Sequence, residues 1–350
     1  MRRGAARDRP AHPAASEASM TYLRRYWPFG AVAVLALLPY AGVGIPGVFD
    51  GPLNSPGTLQ LLALCLLFGG LATGYDLLFG RTGLLSFGQA LFVALGAYGA
   101  DVLITKAGLP LALAAPAAIL LGTTVAAAIG AIALRVTGIA FAMVTLAFAQ
   151  VGAILAARDA WGLTGGDEGL ALDVSGLPSG LVGVVNTYKL YWVSLAYLVI
   201  VMIVVRRTVS SPTGRVLAGL RDDERRVGVL GLNPYAFKLF AFVLAGALAA
   251  AGGVVHLLLV QGADPKIAGS ELTLSLLVMV VLGGPGTRYG PLLGGVLYTY
   301  LDYRLTHVAG GLPGPLKQPL FVLGVIFILA VYFFPGGIAQ LRLRALRRTL

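Results

Sequence analysis

The sequence predicts an all-α protein, a polytopic membrane bundle of about ten spanning helices, within a range of eight to ten. Three observations lead there. The chain is 57% hydrophobic and 12% charged, against about 25% charged in ordinary soluble domains, and its mean hydropathy is +0.84. Its apolar residues gather into runs approaching the roughly 20 residues that a helix needs to cross hydrocarbon. The basic residues between those runs fall mostly on alternate connections, the bias that marks a cytoplasmic face. The 48 glycines and many alanines suit close helix packing in lipid, where small side chains let backbones approach.

Reading in order, residues 1–27 form a polar, Pro/Ala-rich tail without periodicity, expected to be disordered, in which Met20 competes with Met1 as the start. A single membrane domain over 28–338 follows, then a basic tail over 339–350. Spans are expected near 28–47, 58–79, 84–105, 110–134, 138–157, 190–205, 239–260, 271–284, 289–303 and 318–335. The first resembles a secretory signal in position, but its length favours an uncleaved anchor. The eighth and ninth are short and separated by GGPGTRYGP, whose glycines and prolines end one helix and start another. One long kinked span is the competing reading there.

Charge tests this count. With both termini on the cytoplasmic side, ten alternating spans give an inner face of +14 and an outer face of −3. An odd number of spans before the 206–238 loop destroys that asymmetry. The loop holds 10 of the 41 charged residues, seven of them basic: Arg206, Arg207, Arg215, Arg221, Arg225, Arg226 and Lys238. A net charge of +11 also raises nucleic acid as a partner. The basic residues are dispersed at span ends, however, so membrane lipid is the expected partner and nucleic acid is not. Cys65 is the single cysteine and lies in an apolar run, which excludes a disulfide framework and a cysteine-based metal site.

Within the loop, Pro212 and Gly214 break the preceding span, and Val216, Leu217, Leu220, Val227 and Leu230 form an apolar stripe on one side of a short helix. Gly231 and Asn233-Pro234 supply its stop. Such a helix can lie on the membrane, pack on its own bundle or sit in a groove of a soluble partner. Its mixed charges argue against the first.

At this point a resemblance enters. GRVLAGLRDDERRVGVLGLNPYAFKLFAFVLAGALAAAGG and LLVMVVLGGPGTRYGPLLGG are similar to the permease subunits of branched-chain amino-acid ABC importers, the LivM type. GYDLLFGRTGLLSFGQALFVALGAYGA, GIAFAMVTLAFAQV and LTGGDEGL resemble the same family in the same order, over about residues 58–335. The resemblance implies that the loop carrying Gly214, Arg215, Leu220, Arg221, Asp223, Glu224, Gly231 and Asn233 is a coupling helix that docks on an ATPase. Glu224 and Gly231 match the family's glutamate seven positions before a glycine, whereas Arg226 and Val227 replace small alanines. It further implies a second homologous permease as a heterodimer partner, two cytoplasmic ATP-binding subunits, a periplasmic substrate-binding protein and a bacterial inner-membrane location. No cofactor is expected on this chain. ATP would be used by the partners, and no G-x-x-x-x-G-K-[ST] motif is present here to cradle its phosphates.

Polar residues within the spans are the pathway candidates. Ser86 and Gln89 sit in a glycine-marked run, and irregular backbone at membrane depth is tolerated only beside protein or a water-filled path. Helix packing competes with that reading, which the resemblance favours. Thr145 and Gln150 are second candidates, with Thr bonding its own helix as the alternative. Asp76 is read as an ion-pair partner of Arg81, and His256 as an interfacial histidine near a span end. In the 158–189 connection, Thr164, Gly165 and Gly166 fit a tight turn bordering a substrate entrance, or a structural turn only.

Two other classes remain. An ion-coupled secondary transporter wants buried carboxylates, and the spans are nearly free of them at mid-depth. An intramembrane enzyme wants a nucleophile and base converging at one depth. Within the permease reading, urea, short amides and aromatic acids compete with branched-chain amino acids as substrate.

Overall fold

A computed structural model describes residues 30, 32–40, 42, 44, 51–159, 162–173, 186–308, 319–333 and 336–339. Nearly all of the terminal tails, the choice of start and parts of the first span, including both of its ends, lie outside the described residues. The helices are α1 (residues 32–37), α2 (Pro56–Asp76), α3 (Gln89–Thr105), α4 (Leu111–Ala133), α5 (Ile139–Ala157), α6 (Thr187–Ser210), α7 (Pro212–Asp222), α8 (Glu224–Val229), α9 (Pro234–Val260), α10 (Ser270–Gly283), α11 (Gly290–Val308) and α12 (Pro319–Phe333). A two-residue antiparallel ribbon pairs β1 (Leu170–Ala171) with β2 (Gly262–Ala263). Among the described residues, five helices are long and apolar enough to cross a membrane: Pro56–Thr82, Leu111–Ala133, Ile139–Ala157, Thr187–Ser210 and Pro234–Val260.

Helix starts follow from local chemistry. Ser55, Ser211 and Asn233 each precede a proline and accept a backbone N–H of the first turn, so α2, α7 and α9 open with a side-chain cap and a residue that has no amide hydrogen to leave orphaned. α2 runs on into a π-helical turn, Leu77–Thr82, which Gly83 ends at φ 72.

Small residues build the core. α4 buries Ala114, Ala118, Gly122, Ala126 and Gly130 at four-residue intervals against antiparallel α9. A methyl group added at Gly122 would meet Ala250 at 2.6 Å, at Gly246 it would meet Ala126 at 2.5 Å, and at Gly130 it would meet Phe242 at 2.7 Å. The backbones approach as closely as these side chains permit, which is the packing that holds helices together without a hydrophobic drive in lipid. α3 runs parallel to α9, with Phe92 beside Gly246, Gly96 beside Ala250 and Ala97 beside Gly253. An even number of intervening connections requires that shared direction. On the other side α2 packs on α6 through Gly70 and Tyr197, and on α11 through Gly69 and Gly295.

Two features differ from the sequence expectations. The third helix begins at Gln89, because residues 83–88 are irregular and their backbone groups bond elsewhere. The 206–238 segment is also not one helix. Asp223 adopts an extended backbone (φ −161, ψ 105) that ends α7 and caps α8. The apolar stripe therefore stops at Val227, and Leu230 is 77% exposed. The competing kinked span is excluded: α10 and α11 are separate antiparallel helices, with Gly283 beside Gly290, Met279 beside Gly294 and Ser275 bonded to Tyr298.

Candidate functional site

The structure brings three distant segments together where the 206–238 loop meets the bundle. The π turn at the end of α2 exposes the Gly80 carbonyl, and the Arg221 guanidinium on the last turn of α7 donates to it. Gly83 packs on the Arg221 side-chain stem. One residue before the π turn, Asp76 is 3% exposed, and its Oδ1 accepts the Gly286 N–H at 2.7 Å from the turn between α10 and α11. Its Oδ2 lies 3.8 Å from Arg81 Nε, so the ion pair read from sequence is present but long. Gly286 has φ 72, and a methyl group there would meet Arg221 Nη1 at 2.9 Å, so this approach requires glycine. A buried carboxylate between two arginines and a backbone N–H is the compensated arrangement that burial of charge demands.

α7 is seated by Leu217 and Leu220, which are 1% and 5% exposed. Gly214 is buried under the end of α6, and Arg215 is exposed. In α8, Asp223 Oδ1 accepts the Arg225 and Arg226 N–H groups at 2.9 and 3.3 Å. Glu224 pairs with Lys238 on the first turn of α9 at 2.6 Å. Gly231 turns the chain at φ 79, and Asn233 caps α9 through the Tyr235 N–H at 3.1 Å. Val229 and Leu230 are 88% and 77% exposed at the tip, with Leu232 beside them at 38%.

The intramembrane candidates divide. Ser86, Gln89 and Thr145 are buried around the irregular segment 83–88, whereas Gln150 is exposed on α5 and is not brought to them. Thr145 Oγ1 donates to Ala142 O at 2.9 Å and accepts the Phe87 N–H at 3.1 Å. Ser86 Oγ accepts the Gly88 N–H at 3.2 Å, and the Ser86 carbonyl accepts the Tyr75 hydroxyl at 3.0 Å. Thr273 Oγ1 of α10 accepts the Ala90 N–H at 3.0 Å. Side chains from three helices, together with Ser86 of the segment itself, thus satisfy a broken backbone, as an apolar surrounding requires. Gln89 Nε2 is buried with no hydrogen-bond partner among the described residues. Tyr75 and Thr273 escape a sequence reading, since each is an isolated polar residue in an apolar run.

In the 158–173 stretch, Thr164 Oγ1 donates to Ala156 O at 2.8 Å, closing the end of α5, and its N–H bonds Asp159 Oδ1 at 2.7 Å. The Thr164 N–H beside the Asp159 carboxyl, helped by the Thr164 hydroxyl, holds it below the usual carboxylate range. Gly165 and Gly166 take positive φ values of 75 and 65 in a tight turn that leads to the β1–β2 ribbon. His256 sets its ring edge-on to Phe68 at 6.4 Å, and its Nδ1 has no partner among the described residues. No group of three or more His, Cys, Asp or Glu residues placed to hold a metal ion occurs among the described residues.

The described residues thus form a helical bundle in which α7 meets the turn that ends α2, and Asp76 ties that turn to the one between α10 and α11. The sequence model of the family described as branched-chain amino acid transport system / permease component matches residues 57–331, and the chain belongs to that family. It is therefore a multi-pass membrane protein. It is 29% identical over 306 residues to the high-affinity branched-chain amino acid transport system permease protein LivM of Escherichia coli, covering 81% of this chain and 70% of the relative. The Salmonella typhimurium protein of the same name is 28% identical over the same coverage. The autoinducer 2 import system permease protein LsrC of Yersinia enterocolitica is 28% identical over 182 residues, 50% of this chain and 48% of the relative.

Proposed function

We propose that the chain is one permease subunit of an ATP-driven ABC importer of branched-chain amino acids, forming half of the translocation pathway. It works in the bacterial inner membrane with a second homologous permease as heterodimer, two cytoplasmic ATP-binding subunits and a periplasmic substrate-binding protein. Its own contribution is mechanical, with ATP hydrolysed by the partners and no covalent chemistry on this chain.

The observation that carries this reading is the junction of Arg221, Gly80, Asp76 and Gly286. The exposed tip Val229, Leu230 and Leu232 offers the cytoplasmic ATPase an apolar contact. Glu224 with Lys238, and Leu217 and Leu220 in the core, make α7 and α8 follow that contact. Arg221 then passes the displacement to the π turn of α2, and Asp76 passes it to the α10–α11 turn. Packed elements of this kind shift between discrete arrangements instead of deforming continuously, so a small push at the tip becomes movement of whole helices. The irregular segment 83–88 with Ser86, Gln89 and Thr145 lies directly after the π turn, where such a movement reaches the pathway.

The test is Arg221→Glu in the complete transporter reconstituted in vesicles. It sets a carboxylate against Gly80 O and Asp76, so leucine uptake falls at least tenfold while the ATPase subunits still co-purify and hydrolyse ATP. Uptake at the wild-type ratio to ATP hydrolysed refutes the coupling role.

A further inference from the structure

α2, α10 and α11 form a half-open cavity of about 140 Å³ lined by Phe68, Leu272, Ser275, Met279, Tyr298, Thr299 and Asp302. It lies away from the junction described above. Its position follows from the α10–α11 pairing: Asp302 is seven residues, about 10 Å at 1.5 Å per residue, beyond the Gly295 contact with α2 and on the side away from the 284–289 turn.

The chemistry of the lining is uneven. Phe68, Leu272 and Met279 supply apolar lining. Beside them are the Ser275 and Tyr298 hydroxyls, 3.1 Å apart, and the half-buried Asp302 carboxylate. Thr299 uses its hydroxyl on the Gly295 carbonyl at 2.9 Å. The Asp302 carboxylate makes no hydrogen bond or ion pair among the described residues. Arg304, two positions on, points to a different side of α11, since i and i+2 do not face each other on a helix. Glu271, at the start of the facing helix, adds negative charge nearby. A half-buried carboxylate with no cation beside it among the described residues is a candidate binding group, because its desolvation is otherwise uncompensated.

We infer that this cavity is a substrate subsite, in which Asp302 receives the α-ammonium group of an aliphatic amino acid and the Phe68, Leu272 and Met279 lining receives its branched side chain. The assignment rests on the amino-acid importer reading and names how that class is recognised. The volume is right: cavities of about 150 Å³ lined by apolar residues take up a molecule the size of benzene. Of the two hydroxyl hydrogens on Ser275 and Tyr298, one is used between them and the other is free to donate to the substrate carboxylate. A neutral solute or a bare carboxylic acid leaves Asp302 uncompensated, so the site discriminates for the ammonium group.

The experiment uses the complete transporter in vesicles, with L-leucine and its deaminated analogue 4-methylpentanoate as probes. Asp302→Asn is expected to cut ATP-driven leucine uptake at least tenfold, with Asp302→Glu recovering part of it and ATP hydrolysis retained. In a second arm, Leu272→Cys is labelled with a thiol reagent while Asp302 is intact. Leucine should slow labelling at least fivefold and 4-methylpentanoate should not. Equal protection by both compounds, or by sodium or potassium alone, overturns the assignment. So does wild-type import of leucine that Asp302→Asn leaves undiminished, which sinks the subsite alone. Wild-type vesicles that fail to import leucine sink the substrate reading and the subsite together.

Discussion

α7 and α8 are consecutive in sequence and opposite in how they are held. α7 has Leu217 and Leu220 in the core and its last arginine on the Gly80 carbonyl. α8 buries only Val227, which packs on Gly219, and is otherwise fixed by the Asp223 cap and the Glu224–Lys238 pair. Its end carries Val229 and Leu230 into the open. One half of the segment is held as part of the bundle and the other stands clear of it, which is what the proposed coupling role needs of a handle. A segment that was uniformly buried would offer nothing to grip, and one that was uniformly exposed would transmit nothing.

The largest effect that breaks the comparison comes from the buried half. Leu217→Ala empties a core position at 1% exposure, so it should destabilise the chain by about 2 to 4 kcal/mol, the cost of a buried leucine truncated to alanine. Val229→Ser with Leu230→Ser removes as much apolar surface from the handle, but that surface is already in water. The pair should leave the melting temperature of the purified permease unchanged while reducing co-purification of the ATP-binding subunits. Thermal unfolding followed beside pull-down yield separates the two. A stability loss from the tip variant equal to that of Leu217→Ala means that the tip is packed and the comparison fails.

Much of this is legible in the sequence, and most of what is not has one physical cause. Apolar runs and their Pro, Gly and Asn punctuation located the described spanning helices to within a few residues at most ends, because those signals are local. Asp76 and Arg81 are five apart, so their pairing was visible. The Arg221 bond to Gly80 spans 141 residues and the Asp76 bond to Gly286 spans 210, and no local pattern announces either. Ser86 and Thr145 were found as polar residues at depth, yet their hydroxyls are engaged in holding the broken backbone of 83–88, a role that depends on a break the periodicity did not reveal. Gln150 satisfies the same sequence criterion and sits on the exposed side of α5. The split at Asp223 does have a local signal: aspartate favours the cap position, where its side chain takes the place of the missing helical acceptor.

That cap sharpens the comparison at a smaller scale. Asp223→Ala removes the acceptor for two N–H groups of α8 and should cost about 1 kcal/mol locally. Amides of residues 224–230 would then exchange about fivefold faster, with those of α7 unchanged, as hydrogen exchange resolved by segment will show.

The smallest effect tests what the Asp223 carboxylate is for. Its Oδ2 lies 3.2 Å from Arg226 Nε, but the Arg226 side chain is 85% exposed and that of Asp223 39%. A solvent-exposed pair of this kind contributes less than about 0.5 kcal/mol, because water and salt screen it and two side chains must be ordered to form it. Arg226→Ala should therefore leave both the melting temperature and the exchange of 224–230 at wild-type values, and raising the salt concentration should not alter them. If Arg226→Ala speeds exchange as much as Asp223→Ala does, the carboxylate acts through the ion pair and not through the cap. α8 would then be held by charge at its surface, and its attachment to α7 would weaken with ionic strength.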